Sequence, residues 1–193
     1  WLKLDGAGAI SADVQVVDGR LAAGSRIAVP GVDATADVMG NRIRGRARAD
    51  IRLDAGTQGE LVPRLQAVME TFDVAAVKAP TRPYVRGRNL RLSVNADGPL
   101  ARARDTLKAR VVFEGAAVPD LRVYNPFLPR RHMRFDQGAG TLSGDLSLDA
   151  AGDVGHGTLR IAGRGTRMHL ADLALRGDID LDLKLRRADL RQR

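Results

Sequence analysis

The residues with chemistry to offer are three histidines, a trio of alternating aspartates, a glycine-rich run and a dense series of arginines. His132, His156 and His169 stand in no HExxH or other recognised metal-ligand spacing. His156 lies in Gly-His-Gly and reads as a turn, and His169, between Met168 and Leu170, reads as part of a strand. Ser11, Ser25, Ser93, Ser143 and Ser147 lack the GxSxG elbow of a nucleophilic serine. Asp178, Asp180 and Asp182 suggest calcium by type. On a strand, however, same-face neighbours stand ~7 Å apart and lack the loop that wraps oxygens around an ion. They read as a wet face, paired across strands with arginines. The run Gly138 to Gly144, GAGTLSG, has neither GxGxxG spacing nor a Lys-Ser/Thr pair, and reads as a turn and strand start. No acid, base, nucleophile, metal or cofactor constellation forms, so the expectation is a protein that is not an enzyme and takes no cofactor.

The arginines are the remaining chemistry. In Asn41 to Asp54, NRIRGRARADIRLD, positions 42, 44, 46, 48 and 52 are all arginine. The formal charge is +8 and the sequence pI is about 10.8, which attracts anions such as nucleic acid, anionic lipid or acidic polysaccharide. Only four of the 31 basic residues are lysines (Lys3, Lys78, Lys108 and Lys184). Phosphate-binding surfaces mix the two cations. Arginine with alanine, glycine and aspartate instead looks like the codon bias of a GC-rich genome, so nucleic acid is the less favoured partner. The stretch Val123 to Phe135 interleaves Tyr124, Phe127 and Phe135 with Arg130, Arg131, His132 and Arg134. Such mixing suits single-stranded nucleic acid or a lipid headgroup boundary. The plainer reading is a proline-fixed loop whose aromatics plug the edge of a core.

What must position these residues is mostly strand. Ile43, Ala47, Ala49, Ile51 and Leu53 share one parity and the arginines the other. The same alternation marks Leu90, Leu92 and Val94; Leu107, Val111 and Phe113; Leu142, Leu146 and Leu148; Ile179, Leu181, Leu183 and Leu185; and Ile10, Val14 and Val16. Breakers such as Asp18-Gly19, Pro30-Gly31, Gly40-Asn41, Asp97-Gly98-Pro99, Ala151-Gly152-Asp153 and Arg176-Gly177 separate them, as in an antiparallel meander, sandwich or open curved sheet. In Gly59 to Asp73 the apolar Leu61, Leu65, Val68, Met69 and Phe72 fall at helical spacing, which predicts one short α-helix. The expected fold is therefore all-β, mainly antiparallel, with that helix. Its parts are a meander over 1–56, a helix and proline-rich insertion over 57–86, and further sheet over 87–193. Aromatics are 4% of the chain and cysteine is absent, which suits thin aliphatic packing and excludes disulfides and Cys-type metal sites. The chain opens on Trp1 and ends on a strand-like run, so it reads as one segment of a longer protein.

Two stretches carry a family resemblance. Ala9 to Asp54 and Gly140 to Leu185 repeat a unit of strand, polar-glycine turn, strand, then glycine followed by alternation; Gly45, Gly87, Gly144 and Gly177 open such runs. In this the chain resembles the AsmA/TamB-type proteins of Gram-negative envelopes. The resemblance implies a taco-like open β-groove with an apolar inner face, along which phospholipid acyl chains move between membranes. It also implies a periplasmic location, an inner-membrane tether outside this chain, a link to outer-membrane biogenesis, and phospholipid and envelope proteins as partners. On that reading the groove lining is Ile51, Leu53, Leu90, Leu92 and Val94, then Val111 and Phe113, then Leu146 and Leu148, then Ile179, Leu181 and Leu183. Tyr124, Phe127, Arg130, Arg131 and Arg134 are candidate headgroup or partner contacts. The rival readings are a closed β-sandwich of structural or adhesin type, which leaves no groove, and a basic nucleic-acid-binding β domain.

Overall fold

In a computed structural model the chain forms one large open antiparallel sheet. The structure describes residues 2–5, 10–38, 40–57, 59–96, 98, 102, 106–128, 132–149 and 154–189. Eight long strands follow one another as a meander: β5 Arg26–Val38, β6 Asn41–Ala55, β7 Leu61–Ala76, β8 Pro83–Ala96, β9 Leu107–Val118, β10 Met133–Asp149, β11 Val154–Leu170 and β12 Leu173–Asp189. Two short strands, β1 Leu2–Asp5 and β2 Ser11–Asp13, pair with the free side of β5. A separate two-residue hairpin, β3 Val16–Val17 and β4 Arg20–Leu21, turns at Asp18-Gly19, both with positive φ (51° and 71°).

Alternation is what holds the sheet in register. Partners across an antiparallel ladder share a face, so apolar parities line up as rows. One row runs Ile27, Ile51, Leu65, Val94, Ala109, Leu148 through β5 to β10. The next runs Val29, Ala49, Ala67, Leu92, Val111, Leu146. On the opposite face Ala28, Asp50, Gln66, Ser93 and Arg110 form a row of mostly polar side chains. A one-residue slip anywhere would put arginines among the aliphatics, which makes the register strongly specified.

A seam of irregularities crosses the sheet. β5 bulges between Val29 and Val32, the β6–β7 pairing shifts between Arg46 and Ala47 with Glu70 as the extra residue, and β9 bulges at Glu114-Gly115. Asn89 of β8, at φ 54°, lies at the same level as Glu70, because Met69 pairs with Leu90 and Thr71 with Arg88. Bulges bend a strand and increase its twist. The seam therefore divides the apolar face into two ends.

Several sequence expectations need correction. The helix predicted over Gly59–Asp73 does not form: those residues enter β7, in the middle of the sheet, so 57–86 is no insertion. Apolar Leu61, Pro63, Leu65, Ala67 and Met69 alternate, the bulge at Glu70 adds one residue, and alternation resumes at Phe72 and Val74. Alternation with one added residue mimics helical spacing. The helical turn that does form is a seven-residue 3-10 helix, Leu121–Phe127, capped at its start by Asp120. Pro30-Gly31, Gly138–Gly144, His156 and Arg176-Gly177 are not turns but lie inside β5, β10, β11 and β12. Ile10 and Val14 lie outside the strands. Ala151-Gly152-Asp153 falls outside the described residues.

Candidate functional site: the apolar face and its plug

The structure brings the twelve candidate lining residues onto one face. Leu92 and Leu146 both stand opposite Val111; Leu183 stands opposite Leu159, Leu181 opposite Ile161 and Ile179 opposite Gly163. Ile51 and Leu53 share a parity on β6, and Leu90 pairs with Met69. The two sides of the seam then differ. Beyond it, the 3-10 helix folds back over the face. Leu121 (0% exposed) and Leu128 bury themselves against Phe72, Ala116, Val118, Phe135, Leu142, Ile161 and Met168. Leu90 belongs to this core, and Val111, Phe113, Ile179, Leu181 and Leu183 pack at its margin. On the near side Ile51, Leu53, Leu92, Val94, Leu146 and Leu148 are half-buried, belong to no core, and have no second layer over them among the described residues.

Glycine makes room for large groups on this face. A Cβ on Gly87 would collide with the Phe72 ring, and one on Gly144 with the Phe113 ring at 2.6 Å. The two rings meet edge to face, 5.8 Å apart at 73°. Gly163 gives Leu121 its seat, since a Cβ there would stand 2.8 Å from Leu121 Cδ1. The plug is also tied by backbone. Asn125 Nδ2 donates to the Phe135 carbonyl and its Oδ1 accepts from the Phe135 N–H, both at 2.8 Å. Asn125 thus stands in for a neighbouring strand on β10, whose pairing with β9 ends at Gly140.

Two hydroxyls spoil the fit. Tyr124 Oη and Thr166 Oγ1 are buried without a hydrogen-bond partner, and burial pushes the Tyr124 phenol well above its usual range. An unmet buried hydroxyl costs about 1–3 kcal/mol. Tyr124 is thus a core residue rather than a headgroup contact, as is Phe135. Arg134 is exposed on the other parity, bound to Asp136 at 2.9 Å, so the structure does not bring it together with Tyr124. Arg130 and Arg131 fall outside the described residues, as does the Phe127 side chain.

The arginines occupy the opposite face and mostly meet acids of adjoining strands. Arg42 grips Asp37 through two bonds of 2.7 Å and holds its carboxyl below the usual range. Asp50 accepts from Arg52 at 2.6 Å and from Arg26 at 2.5 Å, and its carboxyl is lowered in the same way. Arg110 does this to Asp145, and Arg160 to Asp180. Arg44 donates to the Pro80 carbonyl at 2.9 Å. A shallow depression of about 560 Å³ also lies on this charged side, between β2, the Pro30-Gly31 bulge, Arg48 and Glu70. Its charges compensate one another, so it offers no defined ligand chemistry.

Nothing gathers the histidines. His169 Nδ1 lies 2.7 Å from Asp136 on the charged face, and His156 is exposed on β11. No group of three metal-ligating side chains forms, and no helix is long and apolar enough to cross a membrane, among the described residues. Comparison with protein-family models, with curated proteins and with solved structures returned no match.

Proposed function

We propose that this chain is a non-enzymatic lipid-binding segment of AsmA/TamB type. It holds phospholipid acyl chains against the near end of the apolar face and serves lipid movement or outer-membrane biogenesis in the periplasm, tethered by a segment outside this chain. One observation carries the reading: aliphatic rows run unbroken across the strands, and the chain covers them with its own residues on only one side of the seam. An acyl chain laid on the near side gains ~0.8 kcal/mol for each CH2 buried, without specific polar contacts. From the seam to the far end of β8 the face spans three alternations, or roughly 20 Å of strand. That is comparable with the ~15 Å hydrocarbon depth of one leaflet, half of a ~30 Å bilayer core. Against a nucleic-acid role stands the pairing of the arginines, whose charge is spent on aspartates of the same sheet.

Native mass spectrometry after expression in a Gram-negative host tests the proposal. Bound phospholipid is expected with the wild-type chain and with Arg91→Asp on the charged face, and is expected to be lost with Leu92→Asp next to it. A lipid-free mass together with no uptake of a fluorescent phospholipid would overturn the reading, and so would equal binding by both variants.

A further inference from the structure

The outermost strand differs from all others. The free side of β5 is covered by β1 and β2, but β12 is the last strand of the sheet and its 17 residues have no partner on their outer side among the described residues. Large apolar side chains that stay exposed on the long strands follow the same division. They are Ile27 on β5, Leu170 at the end of β11, and Leu173, Leu175 and Leu185 on β12, with none on β6 to β10. A bare strand edge is a template for another strand.

The charged parity says what kind of strand. Most strand boundaries are crossed by an arginine–acid pair: Arg42–Asp37 between β5 and β6, Arg48–Glu70 and Arg64–Asp54 between β6 and β7, Arg86–Asp73 between β7 and β8, Arg110–Asp145 between β9 and β10, and Arg160–Asp180 between β11 and β12. At β12 the supply of arginine runs short. Asp178, Asp180 and Asp182 stand in one line, and β11 offers them Arg160 alone. Arg160 is in register with Asp182 yet binds Asp180; Asp178 accepts only the Gly165 N–H at 2.9 Å. Asp182 has no ion pair among the described residues, and Lys184 follows it on the same parity.

We infer that the β12 edge is a docking site for an extended polypeptide strand with aliphatic residues at alternate positions and arginines between them. Backbone hydrogen bonds supply the attachment, the arginines meet Asp178 and Asp182, and the aliphatics cover Leu175 and Leu185. Self-pairing of β12 with β12 of a second copy is disfavoured, because it sets two rows of aspartates against each other. The inference does not depend on lipid binding, since it concerns the edge of the sheet and not its apolar face.

A dye-labelled peptide with the sequence of residues 43–54, IRGRARADIRLD, is a direct probe. Titrated against the 193-residue chain by fluorescence anisotropy, it is expected to bind at least tenfold more tightly than a peptide of the same composition with its alternation scrambled. Asp178→Lys with Asp182→Lys should weaken binding at least tenfold, and a peptide with glutamate for each arginine should recover it. Hydrogen exchange should show new protection within 173–189. Equal binding of the scrambled peptide would reduce the effect to bulk charge and overturn the inference. Unchanged exchange in β12 would also overturn it, as would sedimentation showing the edge already buried between copies of the chain.

Discussion

Phe72, Leu142 and Ile161 on one side of the bulge seam, and Ile51, Leu92 and Leu146 on the other, follow the same alternating pattern and lie on the same face. The first three are buried and the second three are half-exposed. Strand parity therefore decides which face a side chain joins, but not whether that face is covered. The cover comes from a connection. Between β9 and β10 the chain takes a long path, and its Leu121, Tyr124 and Leu128 turn back onto the sheet. The connections at the same end between β5 and β6 and between β11 and β12 are tight turns with nothing to contribute. One irregular segment thus separates a core from a trough within a single sheet.

The widest contrast should come from leucine truncation. Leu121→Ala removes a fully buried side chain and should cost about 2–5 kcal/mol, whereas Leu92→Ala, half-exposed, should cost roughly 1 kcal/mol. Urea unfolding monitored by circular dichroism measures both. Equal costs would erase the distinction between the two ends.

A smaller effect of opposite sign is expected beneath the plug. Thr166→Val keeps the shape and removes a hydroxyl that has no partner, so the chain should gain about 1 kcal/mol. A loss instead would place an ordered water at Oγ1 and make the plugged end a wetter core than its packing implies.

The smallest effect concerns acid. Arginine partners depress the folded-state pKa of Asp37 and Asp180, beside the plugged rows, and of Asp50 and Asp145, beside the open ones. A depressed carboxyl contributes stability above its unfolded value, near 3.9, and loses it as pH falls through the folded value. The melting temperature should therefore drop modestly between pH 5 and pH 2, less so in high salt, because these pairs are solvent-exposed. Hydrogen exchange at low pH should loosen both ends alike. A loss confined to one end would show that the charged face does not support the sheet evenly.

Much of this was legible in the residues. The alternation of Ile179, Leu181 and Leu183 with Asp178, Asp180 and Asp182 specifies a two-faced strand, and the register places both sets as read. The pairing of arginines with acids of neighbouring strands follows from the same pattern. The bulges were not legible. Glu70 is an ordinary glutamate, and nothing in its type announces that two residues of β7 face one gap in β6. Without it the spacing of Leu61, Leu65, Val68, Met69 and Phe72 looks helical. The seating of Phe72 over Gly87 and of Phe113 over Gly144 was equally hidden, because a glycine gives no clue to what fills the space it leaves. Tyr124 looked like an outward contact beside its arginines. Its fate depended on a loop turning inward, which requires knowing which face had room for it.

Each long strand in this molecule touches only the strands just before and after it in the chain. Such a sheet behaves as a linear array, in which stability accumulates boundary by boundary and folding can spread from any paired hairpin without long loops being closed first. Its cooperativity should be anchored where the plug bridges β7 to β11 and fade toward β12. Length is then an adjustable property: a hairpin could be gained or lost at the open edge while every other strand kept its register.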